Sequence, residues 1–156
     1  MARVSRYLAN GFIPVTEPPA RRLMPVAASV NIVKGDYIED NGSGYATNAG
    51  TAFASTALGI AAADADNSSG AAGAIEVEYY PIDLKTQYIV PVAADALITQ
   101  DAVGSIVDLE NNDDIDINDT GIASGPGFYI DEIDVCAAAI AANTYGYAIG
   151  HFIFVS

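Results

Sequence analysis

Two acidic runs are the first places in this chain where residue types and spacing suggest chemistry. Asp113-Asp114-Ile115-Asp116-Ile117-Asn118-Asp119-Thr120-Gly121 gathers the oxygen ligands that hard cations prefer. An EF-hand loop beginning at Asp114 needs glycine at its sixth position and glutamate at its twelfth. The chain has Asp119 and Gly125 there. Asp64-Ala65-Asp66-Asn67-Ser68-Ser69-Gly70 fails in the same way, with Ile75 in the closing position. The first run reads as a strand with Asp114, Asp116 and Asn118 on a solvated face and Ile115 and Ile117 on the other. The second reads as a polar turn whose Asp and Asn side chains satisfy their own backbone. No metal site is expected in either.

Nucleophilic chemistry fares no better. A nucleophile–base pair would need His151, the one histidine, beside a serine or Cys136, the one cysteine. His151 lies between Gly150 and Phe152 in an alternating apolar stretch, the setting of a packed or interface histidine. Cys136 sits in an alanine run and reads as a small buried hydrophobe. One cysteine excludes an intrachain disulfide and a cysteine-based zinc site. Twenty acids would allow a carboxylate pair for glycoside hydrolysis, but there is no Trp to form a sugar platform. No P-loop and no glycine-rich dinucleotide motif is present. The expectation is a protein with no catalytic residues and no cofactor.

The elements that would position any site are strands. The 156 residues suffice for one domain with a real core, and 51% of them are hydrophobic, which excludes global disorder. Ser29 to Val33 alternates and ends at Lys34-Gly35. Asp36 to Asp40 alternates and ends at Asn41-Gly42-Ser43-Gly44, a hairpin signal. Ile75, Val77 and Tyr79 share one face and Glu76 and Glu78 the other. Tyr88 to Val92, stopped by Pro91, reads as an edge or a strand end. Ser105 to Leu109 and Phe128 to Val135 are further strands, the latter with a bulge where alternation slips. Tyr147 to Val155 is apolar on both faces and therefore central or at a subunit contact. Thr99 to Gly104 allows one helical turn, and Cys136 to Asn143 one or two. Residues 46–65 and 69–74, rich in Ala, Gly, Ser and Thr, include loops. The fold class is all-β: a small β-barrel or β-sandwich with an extended N-terminal arm and at most one or two short helical turns.

Charge divides the chain. Four arginines against Glu17 give residues 1–26 a net +3, while two lysines against 19 acids give residues 27–156 a net −17. The first segment also holds four of the seven prolines. It reads as an extended, basic arm that lies along a neighbouring surface, carried by Arg3, Arg6, Phe12, Arg21, Arg22 and Leu23. Residues 27–156 form a single β domain. A chain of net charge −14 without a basic stripe is a poor partner for nucleic acid. No stretch is long and apolar enough to span a membrane as a helix. The two apolar faces of the last strand point to a homotrimer with Phe152 and Phe154, or their opposite face, at a subunit contact.

The order of short motifs resembles one family. Val33-Lys34-Gly35-Asp36, Ala52-Phe53, Leu58-Gly59-Ile60-Ala61, the Asp64–Gly70 run and Ile75-Glu76-Val77 are followed by Asp101–Leu109, Gly127-Phe128-Tyr129-Ile130 and Ile149-Gly150-His151-Phe152. Together they are similar to the capsid decoration (cement, or head auxiliary) proteins of tailed bacteriophages, over about residues 29–154. Position 151 departs, since Arg is as expected there as His. The resemblance implies a non-enzymatic virion protein, made in the host cytoplasm. It would sit as a trimer on the outer capsid surface, with the major capsid protein as partner. The alternative from another class is a carbohydrate- or cation-binding β-sandwich module, such as a head fibre or adhesin piece.

Overall fold

The computed structural model describes residues 11–48, 50, 53, 56–93, 98–122, 124–134 and 146–155. The chain is all-β, as its alternation predicts. Its strands are β1 (Ile13–Pro14), β2 (Arg22–Pro25), β3 (Val30–Ile32), β4 (Tyr37–Asp40), β5 (Ala46–Asn48), β6 (Ala57–Ala61), β7 (Ala65–Asn67), β8 (Glu76–Pro81), β9 (Gln87–Pro91), β10 (Ile106–Asn111), β11 (Asp114–Asp116), β12 (Gly125–Asp134) and β13 (Tyr147–Val155). One 3-10 turn, Gln100–Ala102, follows Thr99. The Cys136–Asn143 segment lies outside the described residues.

Three antiparallel sheets form. The first runs β1-β9-β13-β12-β10-β11, the second β2-β8-β6-β4-β5, and β3 pairs with β7 in a small third. Each large sheet curls. Val92, just past β9, bridges Ile115 of β11, and Val26, just past β2, bridges Ala46 of β5. The curl of the first sheet turns one set of alternating residues inward: Tyr88, Val90, Val107, Leu109, Ile115, Phe128, Ile130, Ala148 and Phe152 are all buried in one core. Phe152 is at its centre, with ring centroids 5.5 Å from both Tyr88 and Phe128. The interior is filled by rings, so this is a packed core rather than a lumen.

The second sheet is covered on both faces at β4 and β6. Alternation along β4 and β6 sends Tyr37 and Ile60 into the first core and Ile38 and Ala61 into a second. That second core includes Val26, Val77, Tyr79 and, from the β3–β7 pair, Ile32 and Ala65. Close backbone approach explains one glycine. A Cβ at Gly150 would collide with the Tyr129 carbonyl oxygen and the Phe128 ring across the β12–β13 pair.

The expected arm is, over its described part, built into the body instead. Gly11 takes φ +80°, where a Cβ would strike the Gly35 backbone. Phe12 then donates its N–H to the Gly35 carbonyl at 2.8 Å, and its ring is 1% exposed in the first core. Ile13 pairs with Ile89, and Arg22–Pro25 pair with Glu76–Tyr79. The prolines do not prevent this, because β1 and β2 are short strands at sheet edges, where a missing N–H costs little. The described body therefore starts at residue 11, and a boundary at residue 26 cuts through it. Arg3 and Arg6 lie outside the described residues.

β13 has the expected bounds and a central position, between β9 and β12. β12 carries the expected bulge, between Ile130 and Glu132. β9 is flanked by β1 and β13, so Pro91 marks its end and not a sheet edge. The small-residue region 46–65 holds β5, β6 and the start of β7 as well as loops.

Candidate functional site

Of the six residues assigned to the arm, three come together on the surface. β2 is an edge strand, and its Met24 turns toward the second core while Leu23 turns out, 60% exposed. Arg22 beside it is exposed. Arg21 pairs with Glu78 at 3.2 Å and lies 5.5 Å from the centre of the Tyr80 ring. Arg21 and Arg22 are the two arginines among the described residues, so this edge is a small basic, apolar strip on an acidic body. Phe12 belongs elsewhere, in the core. Phe152 is also corrected: at 0% exposure it is no subunit contact. Phe154, two residues on along the same face, is 52% exposed, because the filled interior ends before it.

A second cluster lies on the outer wall of the first sheet. His151 is paired in register with Tyr129 of β12 and Gln87 of β9. The β12 bulge brings Asp131 to the same side, where its Oδ2 lies 2.8 Å from His151 Nδ1 and accepts from Gln87 Nε2 at 3.1 Å. A carboxylate accepts, so Nδ1 carries the proton of this contact and Nε2 is the other ring nitrogen. The Tyr129 ring lies 5.2 Å from the imidazole. Among the described residues no hydroxyl or thiol bonds that Nε2, and Cys136 lies outside them. Sequence reasoning singled out His151 but not Asp131; the alternation slip at the bulge was the available signal.

The acidic runs are largely held by backbone. Asp114 Oδ1 accepts from Asn111 N at 2.9 Å, and Asp116 Oδ1 from Asn118 N at 2.9 Å. Ile115 between them is buried, as the alternation predicts. In the other run, Asp64 Oδ1 accepts from Lys34 N and Asp66 Oδ1 from Ser68 N. Asn67 is buried and donates to the carbonyls of Ala27 and Ala71, both at 2.9 Å. Part of that run is strand β7, so it is more than a turn. Among the described residues no group of three or more His, Cys, Asp or Glu side chains converges to hold a metal.

Sequence reasoning missed a buried carboxylate, Asp36. Its Oδ2 accepts from Val33 N at 2.9 Å, closing the Lys34-Gly35 turn, and from Asn48 Nδ2 at 2.8 Å. Burial nevertheless holds its carboxyl above the ordinary range, against those hydrogen bonds. Burial likewise raises Glu39 and Asp114. A carboxyl raised in the folded state contributes stability that is complete below its ordinary titration, about pH 4, and is lost as pH rises through the raised value. Exposed Asp66 is lowered, chiefly by the Ser68 side chain, and acts in the opposite direction. With three raised carboxyls against one lowered one, the urea midpoint is expected to be higher at about pH 4 than at about pH 7. Asp36→Asn should shrink that difference; urea titrations at the two pH values check it.

No family profile, no curated protein and no solved structure matches the chain.

Proposed function

We propose that this chain is a non-enzymatic structural protein that binds the outer surface of a phage capsid and stabilises the shell, with the major capsid protein as partner. The observation that carries the reading is the β2 edge, where Arg21, Arg22 and Leu23 stand exposed on an otherwise acidic, densely packed body. A shell offers many equivalent sites, so avidity makes modest contacts sufficient, and a cement protein needs a surface strip rather than a pocket. An exposed strand edge also has unpaired backbone groups to offer a neighbouring chain. Net charge of −14 keeps decorated particles apart in solution. The order of motifs adds the resemblance to decoration proteins. A trimer, with Phe154 at the contact, belongs to the same proposal.

Co-sedimentation of the purified chain with intact capsids tests this. Wild type is expected to pellet with capsids. Arg22→Glu combined with Leu23→Asp should reduce pelleting about tenfold or more, which corresponds to roughly 1.4 kcal/mol. Both residues are exposed, so the melting temperature should stay close to wild type. A wild-type chain that stays in the supernatant, or a variant that pellets equally well, overturns the reading.

A further inference from the structure

The Asn41-Gly42 turn between β4 and β5 gathers backbone donors and a carboxylate around one side-chain amide. Asn41 Oδ1 accepts from the backbone N–H of Ser43 at 2.9 Å and of Tyr45 at 3.3 Å. Both donors are N–H groups, so the atom they meet is the amide oxygen and not its nitrogen. The N–H of Gly42, the next residue in the chain, donates to Asp40 Oδ1 at 2.8 Å. Gly44 N–H donates to the same carboxylate oxygen at 3.1 Å. The main chain of Asn41 is fixed by its own N–H, which donates to the Tyr45 carbonyl at 2.9 Å. Gly42 has φ +90° and open space where a side chain would stand. Asn41 and Gly42 are both exposed, and among the described residues nothing bonds the Asn41 amide nitrogen.

These groups match the needs of one intramolecular reaction. The backbone nitrogen that follows an asparagine can attack the side-chain carbonyl and close a five-membered imide. Negative charge then develops on the amide oxygen, where two backbone N–H groups already point. The attacking nitrogen must give up its proton, and a carboxylate already accepts that N–H. Glycine leaves the approach free of a side chain. We propose that Asn41 is a self-modification site, closed by Gly42 N to a succinimide and then opened by water to aspartate or isoaspartate. In the first step the bond from Gly42 N to Asn41 Cγ forms and the Cγ–Nδ2 bond breaks. The Gly42 proton passes through Asp40 to the departing nitrogen, which leaves as ammonia. In the second step water adds to one ring carbonyl and breaks its bond to the ring nitrogen. Either product adds a negative charge to the turn, and isoaspartate also adds a carbon to the main chain. Asn67-Ser68 is the contrast within the same chain. Ser68 N–H also meets a preceding carboxylate, Asp66 Oδ1, at 3.0 Å, but Asn67 is buried and its amide nitrogen is held by the carbonyls of Ala27 and Ala71. The Asn41 site goes beyond the capsid reading and does not depend on it.

The experiment incubates the full-length chain at physiological temperature and pH and follows position 41 by peptide mapping with tandem mass spectrometry. Amide, succinimide, aspartate and isoaspartate are resolved there by mass and retention. The same chain unfolded in guanidinium chloride reports the Asn-Gly pair without its turn. The native chain is expected to convert Asn41 about tenfold or more faster than the unfolded chain, less than a positioned base or oxyanion donor contributes in a closed active site. Asn67 should stay intact in the native chain. Asp40→Asn keeps an oxygen for the Gly42 N–H but cannot take its proton, so it should slow native conversion about tenfold or more. Asn41→Gln would need a six-membered ring and should stay an amide. The comparison of native with unfolded wild type needs no variant, so it decides the matter even if Asp40→Asn loosens the turn. Two results overturn the proposal. One is native conversion no faster than in guanidinium chloride, which means the turn protects the amide. The other is a folded Asp40→Asn variant that converts at the wild-type rate or above it, which means the carboxylate only restrains Gly42.

Discussion

Phe12→Ala is expected to destabilise the protein by about 3–5 kcal/mol, the range for emptying a buried phenylalanine site, and deletion of residues 1–26 is expected to abolish folding. The Phe12 ring lies 5.5 Å from Phe128, 5.4 Å from Phe152 and 6.2 Å from Tyr88, centroid to centroid. These rings come from strands far apart in sequence, so no nearby side chain is free to refill the hole. Deletion removes more: β1 from the β9 edge, β2 from the β8 edge, and Val26, which is fully buried in the second core. Most domains of this size are stable by only about 5–15 kcal/mol, so losing both contributions exceeds the margin. Urea denaturation of Phe12→Ala and circular dichroism of the truncated chain check these outcomes. A truncated chain that melts cooperatively near the wild-type temperature would restore residues 1–26 to the status of an arm.

The second large effect separates two phenylalanines that lie two residues apart on one face of β13. Phe152→Ala should cost about 3–5 kcal/mol. Phe154→Ala should change monomer stability by no more than about 0.5 kcal/mol, as expected at an exposed site. Phe152 meets the rings of Phe12, Tyr37, Phe53, Tyr88 and Phe128. Phe154 pairs with Pro126 across β12 and is half exposed. If Phe154 is the subunit contact, its replacement should dissociate an oligomer while leaving the fold intact. Sedimentation velocity alongside urea denaturation reads both properties. Equal destabilisation by the two substitutions would contradict the burial difference between them.

Strands with strong alternation are legible from residue order alone. β8 places Val77 and Tyr79 inward with Glu76 exposed, because a half-buried strand sorts apolar and acidic residues at period two. The turn at Asn41 to Gly44 joins β4 to β5, with Gly42 and Gly44 at positive φ as its sequence requires. The bulge in β12 is visible as a slip in alternation. β1 and β2 are not legible in this way, because a local rule about proline cannot tell a sheet edge from solvent. Nor are β5, β6 and β7: they are three to five residues long and built mostly from small side chains. Their extended form comes from the neighbours they pair with.

Composition, and a periodicity that acts between near neighbours, suffice for the all-β class, the central place of the last strand and the acidic character of the body. They do not suffice to separate core from surface among the apolar residues. Phe152 and Phe154 are indistinguishable by period, and differ only in where the facing rings end. The polar cluster on the outer wall of the first sheet is likewise a product of long-range packing. Asp131 meets His151 and Gln87 only because β12 and β9 flank β13 in the first sheet. Placement of this kind depends on which strand edges pair and which faces stack, and neither is encoded in the spacing of residues along a single strand.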